Sequence, residues 1–117
     1  MKVTYEIENG KNVKVKTYAD GRVKKYDEKG NEIHFKGSKG YEEWREFDAE
    51  GNMIHLKRSD GDEKWYKYDS KGRMIFIKYN DGFKEWCEYD AEGTCIYYKD
   101  NRGYEWFAED YEERKVC

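Results

Sequence analysis

Short segments of alternating apolar and polar residues recur along the chain at a fixed interval. Gly40, Gly61 and Gly82 are 21 residues apart. The same step of 21 separates two aromatic sets, which are Phe47, Tyr68 and Tyr89, and Trp44, Trp65 and Trp86. A constant interval of this size is the signature of a tandem-repeat architecture.

Each repeat contains two alternating segments separated by turn residues, which predicts a β-hairpin. In Asp48-Ala49-Glu50-Gly51, the aspartate suits the start of a type I turn and the glycine tolerates a positive φ. This pattern predicts a three-residue loop with a bulge at the glycine, and it recurs after Asp27, Asp69 and Asp90. Between repeats, Lys39-Gly40, Asp60-Gly61 and Asp81-Gly82 predict tighter, two-residue primed turns.

These turns together set a strand register. They place Trp44 opposite Leu56, and they predict one apolar row on one face: Val23, Phe35, Trp44, Leu56, Trp65, Ile77, Trp86, Tyr98 and Trp106. The opposite face would carry Tyr26, Phe47, Met53, Tyr68, Met74, Tyr89 and Cys95, beside His34, Arg45, His55, Tyr66, Phe76, Cys87, Tyr97 and Phe107. The predicted fold class is all-β, with hairpin repeats of about 21 residues forming one twisted, curled antiparallel meander of about 11 strands.

The length of 117 residues predicts a single domain. Residues 1–21 form a degenerate N-terminal cap repeat, residues 22–103 the regular repeats, and residues 104–117 a C-terminal cap and tail. The tail is rich in helix-forming residues after Phe107, so we expect a last strand followed by a short helical segment.

Composition narrows the possible partners. A charged fraction of 42% would favour disorder, but an aromatic fraction of 18% and strict alternation favour a folded sheet. The net charge of −3 argues against a nucleic-acid ligand, which needs a basic face. No apolar run is long enough to cross a membrane, and the start of the chain lacks a signal segment. We therefore expect a cytoplasmic protein.

No residue set specifies a chemistry, so the sequence predicts a protein that is not an enzyme, with no catalytic residue, metal or cofactor. His34 and His55 would lie two strands apart, about 9.5 Å, too far to share a zinc ion. Cys87 and Cys95 would be diagonal neighbours, and with Cys117 the odd number favours reduced thiols. The recurring turn aspartates are expected to cap turns rather than bind calcium.

The rows of aromatic side chains are the only feature of the sequence that suggests a function. Apolar rows on both faces of a single sheet leave one face partly exposed, and such patches mark interaction sites. The candidate partner-binding face comprises His55, Tyr66, Phe76, Tyr97, Arg45 and Tyr68. Two other functions remain open: a carbohydrate- or choline-binding surface module, and a structural or self-associating repeat whose edges pair between chains.

Two segments, Lys67-Tyr68-Asp69-Ser70-Lys71-Gly72-Arg73-Met74 and its counterpart at 88–95, resemble YD repeats of the RHS type. The resemblance extends over residues 22–100. It implies long hairpin sheets and a bacterial setting near polymorphic toxins, where small repeat proteins act as immunity proteins that bind one toxin. Residues 63–72 are also similar to choline- and glucan-binding repeats, and Gly-Tyr-x-x-Trp is similar to MORN repeats, another single-sheet hairpin array.

Overall fold

A computed structural model describes residues 1–115 and has one open antiparallel meander of eleven strands, in which each strand neighbours the next in sequence. The predicted all-β hairpin sheet is thus confirmed. The strands are β1 (Lys2–Glu8), β2 (Lys11–Thr17), β3 (Val23–Tyr26), β4 (Glu32–Lys36), β5 (Glu42–Phe47), β6 (Met53–Arg58), β7 (Glu63–Tyr68), β8 (Met74–Tyr79), β9 (Lys84–Tyr89), β10 (Cys95–Asp100) and β11 (Glu105–Phe107). A short helix, α1 (Tyr111–Arg114), follows.

The chain divides into two compact units, an N-terminal unit, Met1–Glu63, and a C-terminal unit, Lys64–Cys117. The single domain expected from the length stays a prediction. Within the C-terminal unit, a last strand and a helical turn occupy the places that the sequence predicts for them.

One loop geometry joins the strands from β2 to β11 within both units. From β2 to β10, the residue before each loop donates its N–H to the backbone C=O of the residue four positions on, and its own C=O accepts the N–H of the glycine three positions on. Examples are Asp48 with Asn52 and Gly51, and Tyr79 with Phe83 and Gly82. The loop after Asp100 makes the first of these bonds, to Tyr104. These are three-residue loops with the glycine at positive φ, as predicted after Asp27, Asp48, Asp69 and Asp90.

The two-residue turns predicted between repeats are wrong. Three-residue loops occupy Lys39-Gly40, Asp60-Gly61 and Asp81-Gly82. The physical reason is clear at the aspartates: Asp60 Oδ1 accepts the backbone N–H of Asp62 at 3.0 Å, which stabilises the wider loop. A two-residue turn occurs at Asn9-Gly10, where both residues have positive φ, 53° and 76°.

A β-bulge recurs at one isoleucine of each regular hairpin and shifts the predicted register. In β5–β6, Glu46 pairs with His55 and Phe47 with Met53, so Ile54 is the extra residue. The equivalent extra residues are Ile33, Ile75 and Ile96. Phe47 therefore pairs with Met53, and Trp44 lies opposite Lys57 rather than the predicted Leu56.

The three-residue loops and the bulges together change which side chains share a face, so the predicted apolar rows differ from the observed ones. Phe35 pairs with Glu43 and Leu56 with Arg45, so both leave the face that Trp44 occupies. Trp106 pairs with Tyr98, whereas Trp86 pairs with the adjacent Lys99. Because neighbouring residues of a strand point to opposite faces, Trp86 and Trp106 do not share a face. The prediction of one tryptophan row is wrong for Trp106.

The core is thin. Among residues 1–115, the buried hydrophobic side chains are Val13, Val15, Leu56, Ile96 and Ala108. Trp44, which the sequence places in the core row, is 38% exposed. Lysine ammonium groups lie over several aromatic rings, including Lys57 over Trp44 at 6.0 Å, so their stems cover part of the apolar surface.

Candidate functional site: an aromatic and basic face

Four aromatic side chains follow one another across β8 to β11 on one face of the C-terminal unit, and Trp65 of β7, which pairs with Lys78, lies on the same face. Phe76 pairs with Trp86, and Tyr97 pairs with Phe107. Tyr97 also pairs with Glu88, which lies two residues from Trp86 and therefore on the same face. We call this surface, comprising Phe76, Trp86, Tyr97 and Phe107, the aromatic face.

Lysines lie among and over the rings of the aromatic face. The Lys67 ammonium lies 5.2 Å from the Phe76 ring centroid, and the Lys99 ammonium lies 5.7 Å from that of Trp86. Strand pairing places four lysines and two glutamates on this face: Lys67, Lys78, Lys84, Lys99, Glu88 and Glu105. The face is therefore basic although the whole chain has a net charge of −3.

The helix α1 closes one end of the aromatic face. Its Tyr111 ring contacts Phe107 edge-on at 5.2 Å and Tyr97 at 6.1 Å. The Tyr111 hydroxyl donates to Glu88 at 2.7 Å, and this hydrogen bond raises the pKa of Tyr111 to about 12. Phe107 remains 49% exposed, so the row ends in an accessible ring.

An open depression of about 630 Å³ has Trp86 and Tyr97 of the aromatic face in its lining, together with Cys87 and Ile96. Two carboxylates are in its lining, Asp69 and Glu88. Asp69 accepts the backbone N–H and the guanidinium of Arg73, and these hydrogen bonds, the backbone one first, lower its pKa. Glu88 accepts from Tyr111. Both acids are held by structural hydrogen bonds, an arrangement that does not favour proton transfer.

The predicted binding residues do not form one surface. In the N-terminal unit, Arg45 pairs with Leu56 and the adjacent Glu46 with His55, so Arg45 and His55 point to opposite faces.

In the C-terminal unit, Phe76 and Tyr97 belong to the aromatic face. Tyr66 pairs with Ile77, next to Phe76, so Tyr66 points to the other face together with Tyr68. The expectation of a common face is wrong because the bulge and the wider loops change the register. Whether these residues bind a partner stays a prediction.

The sequence-based set omits Phe107, Trp86 and Tyr111. A signal was available for Phe107, which lies 21 residues after Trp86. No periodic signal marks Tyr111, which reaches the face only because α1 folds back onto β10.

Both histidines form hydrogen bonds with glutamate side chains of neighbouring residues in the sheet. His34 Nε2 lies 2.9 Å from Glu42, and His55 lies between Glu46 at 3.0 Å and Glu63 at 2.6 Å. Partial burial alone would lower the pKa of His55, but the hydrogen bonds to both glutamates raise it overall. Within residues 1–115, no group of three or more His, Cys, Asp or Glu side chains is arranged to hold a metal ion.

Cys87 and Cys95 are free thiols whose sulfur atoms lie 3.4 Å apart. Cys95 pairs with Tyr89, and Cys87 pairs with Tyr98. Burial, followed by the hydrogen bond to Cys95, raises the pKa of Cys87 to about 11. A thiol with such a pKa is a poor nucleophile at neutral pH. The prediction for Cys117 lies outside the described residues.

The recurring aspartates cap their turns. Asp48 Oδ1 accepts the N–H groups of Glu50 and Asn52 at 3.0 and 2.9 Å. Asp90 makes the equivalent bonds and is buried, and its second carboxylate oxygen accepts Arg114 of α1 at 2.7 Å. The carboxylate of Asp90 therefore also anchors the helix that closes the aromatic face.

Neither a protein-family model nor a curated protein matches this sequence. Within residues 1–115, no helix has the length and apolar character needed to span a membrane.

Proposed function

We propose that this protein is a non-catalytic binding module that engages a protein partner through the aromatic face. The observation that carries the proposal is the row of Phe76, Trp86, Tyr97 and Phe107, which has lysines among and over its rings and ends in a ring that is 49% exposed. Aromatic side chains are typical of the energetic centre of protein interfaces.

The charges on the face define the chemistry of the partner. Four lysines against two glutamates favour an acidic surface that surrounds an apolar centre. Two of these ammonium groups lie over the rings of Phe76 and Trp86, where they meet an incoming carboxylate before the rings are buried.

The resemblance to YD repeats suggests one kind of partner. On that resemblance, the acidic partner is a toxin whose activity this module blocks, and the protein is an immunity protein. A carbohydrate ligand is the competing possibility, because an exposed ring such as Phe107 can also stack on a sugar.

Two neighbouring residues of β11 provide a matched test. Phe107 lies on the aromatic face and Trp106, 42% exposed, on the opposite face. We expect the tagged wild-type protein and Trp106→Ala to capture the same partner from cells of the source organism, and Phe107→Ala to lose it. Quantitative mass spectrometry compares the three samples, and circular dichroism checks that each variant is folded.

Salt and sugar controls separate the alternatives. Capture that weakens between 50 and 500 mM salt, as assay conditions, supports an acidic protein partner. Equal capture by Phe107→Ala and wild type would refute the role of this face. Specific binding on a glycan array that is lost in Phe107→Ala would favour the carbohydrate ligand instead.

A further inference from the structure

The first strand presents a long, unpaired edge. Within the described residues, β1 pairs only with β2, through all of its seven residues, Lys2–Glu8. Three apolar side chains on one face of this edge are strongly exposed: Val3 at 40%, Tyr5 at 70% and Ile7 at 74%. Exposed edge strands of this length and composition are templates for pairing with another strand.

The β1–β2 turn determines which backbone groups of β1 are available. A type I′ turn at Asn9-Gly10 closes with a hydrogen-bonded pair, here Glu8 with Lys11. Such pairs alternate along an antiparallel ladder, so the next ones toward the chain start are at Glu6 and Thr4. The N–H and C=O groups of Val3, Tyr5 and Ile7 therefore point away from β2.

The sequence of β1 is self-complementary in that register. A twofold axis at Tyr5 pairs Tyr5 with its copy and Val3 with Ile7, and these are the residues whose backbone groups point outward. On the other face, the same axis pairs the Lys2 ammonium with the Glu8 carboxylate of the second copy. Each residue thus meets a partner of matching polarity, as an isologous interface requires.

We propose that two copies of this chain pair antiparallel through β1, with Tyr5 on the twofold axis and Lys2 opposite Glu8. This interaction is separate from the proposed function, since it uses the N-terminal unit and leaves the aromatic face unchanged. The pairs Tyr5–Tyr5 and Val3–Ile7 exchange backbone hydrogen bonds, and their side chains cover one another on one face.

Glu8 keeps its intramolecular partner in this arrangement. Its Oε2 accepts the Lys25 ammonium at 2.9 Å, and its side chain remains 41% exposed. This exposure lets Lys2 of the other copy approach the same carboxylate. A single edge buries less than a standard interface, so we expect a dissociation constant on the order of 10 µM to 1 mM.

Amide protection measures the register directly. In a dilution series followed by NMR, the amides of Thr4 and Glu6 should be protected from exchange at every concentration, because they bond β2. The amides of Val3, Tyr5 and Ile7 should exchange rapidly in dilute samples and become protected as the dimer forms. Sedimentation velocity on the same samples measures the association.

Two substitutions test separate parts of the interface. Tyr5→Pro removes an outward N–H that β2 does not use, and proline is tolerated at such edge positions. We expect this variant to fold and to remain monomeric up to 1 mM as an assay limit. Lys2→Glu replaces both symmetric attractions by repulsions and should weaken the dimer about tenfold.

Lys39→Glu is the matched charge control, since Lys39 is an exposed loop residue of the same unit. Its dimerisation should equal that of the wild type. Should Tyr5→Pro fail to fold, Lys2→Glu compared with Lys39→Glu still decides the question. The proposal is overturned if the wild type stays monomeric throughout the series, if the three outward amides gain no protection on association, or if both lysine variants dimerise equally.

Discussion

The most informative test of the fold replaces Ile96, the extra residue of the β9–β10 bulge. Ile96 is 1% exposed, the lowest value among the buried hydrophobic side chains. Ile96→Ala removes three buried carbon atoms, roughly 2.4 kcal/mol at about 0.8 kcal/mol per buried carbon. The cavity left behind adds to this loss, so we expect the free energy of unfolding to fall by about 2–5 kcal/mol.

Two further variants provide reference values for the loss of unfolding free energy in Ile96→Ala. Ile96→Val removes one carbon and should cost about 0.5–1.5 kcal/mol. Ile75→Ala is the matched control, because Ile75 occupies the same bulge position in the same unit but is only partly buried. Its loss should be clearly smaller than that of Ile96→Ala, since less apolar surface returns to water.

Urea denaturation followed by both circular dichroism and tryptophan fluorescence provides the measurement. Coincident transitions are required before free energies are compared, because the chain has two compact units. If Ile96→Ala costs less than about 1 kcal/mol, or no more than Ile75→Ala, the bulge isoleucine is not the packing centre of its unit, and the reasoning fails.

Three other predictions concern ionisable groups. Because the pKa of His55 is raised, its stabilising contribution is complete below about pH 6.5 and is lost as pH rises through the folded pKa. His55→Gln should therefore lower the free energy of unfolding at pH 6 and have little effect at pH 9, measured by urea denaturation. The pKa of about 11 for Cys87 predicts about 100-fold slower iodoacetamide labelling at pH 8 than an ordinary thiol gives, and mass spectrometry of folded and urea-unfolded protein compares the two. Asp90→Asn should lower the melting temperature and detach Arg114, whereas Glu92→Gln, an exposed change in the same loop, should not.

Local patterns in the sequence were sufficient to predict the strands and about half of the loops correctly. Alternation located the strands, and Asp followed by Gly three residues later identified the three-residue loops, because both signals act within a few residues. At Asp60-Gly61, the same two residue types suit either a two-residue or a three-residue loop. The hydrogen bond that the Asp60 carboxylate accepts from the Asp62 N–H stabilises the three-residue loop, but this bond forms only once the backbone has that geometry.

The positions of the bulges could not be predicted from the sequence for a similar reason. Met53 and Ile54 are adjacent apolar residues, and either one can be the unpaired residue without disturbing the pattern. This error of one position in the predicted register put Leu56 on the wrong face relative to Trp44. For the same reason, the predicted binding residues lie on two faces instead of one. The closure of the aromatic face by Tyr111 depends on a contact between distant parts of the chain, which periodicity does not encode.

The meander topology has a kinetic consequence. Every strand neighbours the next one in sequence, and even the longest β1–β2 pair, Lys2 with Thr17, spans 15 positions, 17 − 2. Sheet proteins dominated by non-local strand pairs must close long loops before those strands meet, which slows folding. Here each hairpin can form as soon as its two strands have left the ribosome, so we expect rapid, hairpin-by-hairpin folding during synthesis, with little exposure of unfinished sheet to aggregation.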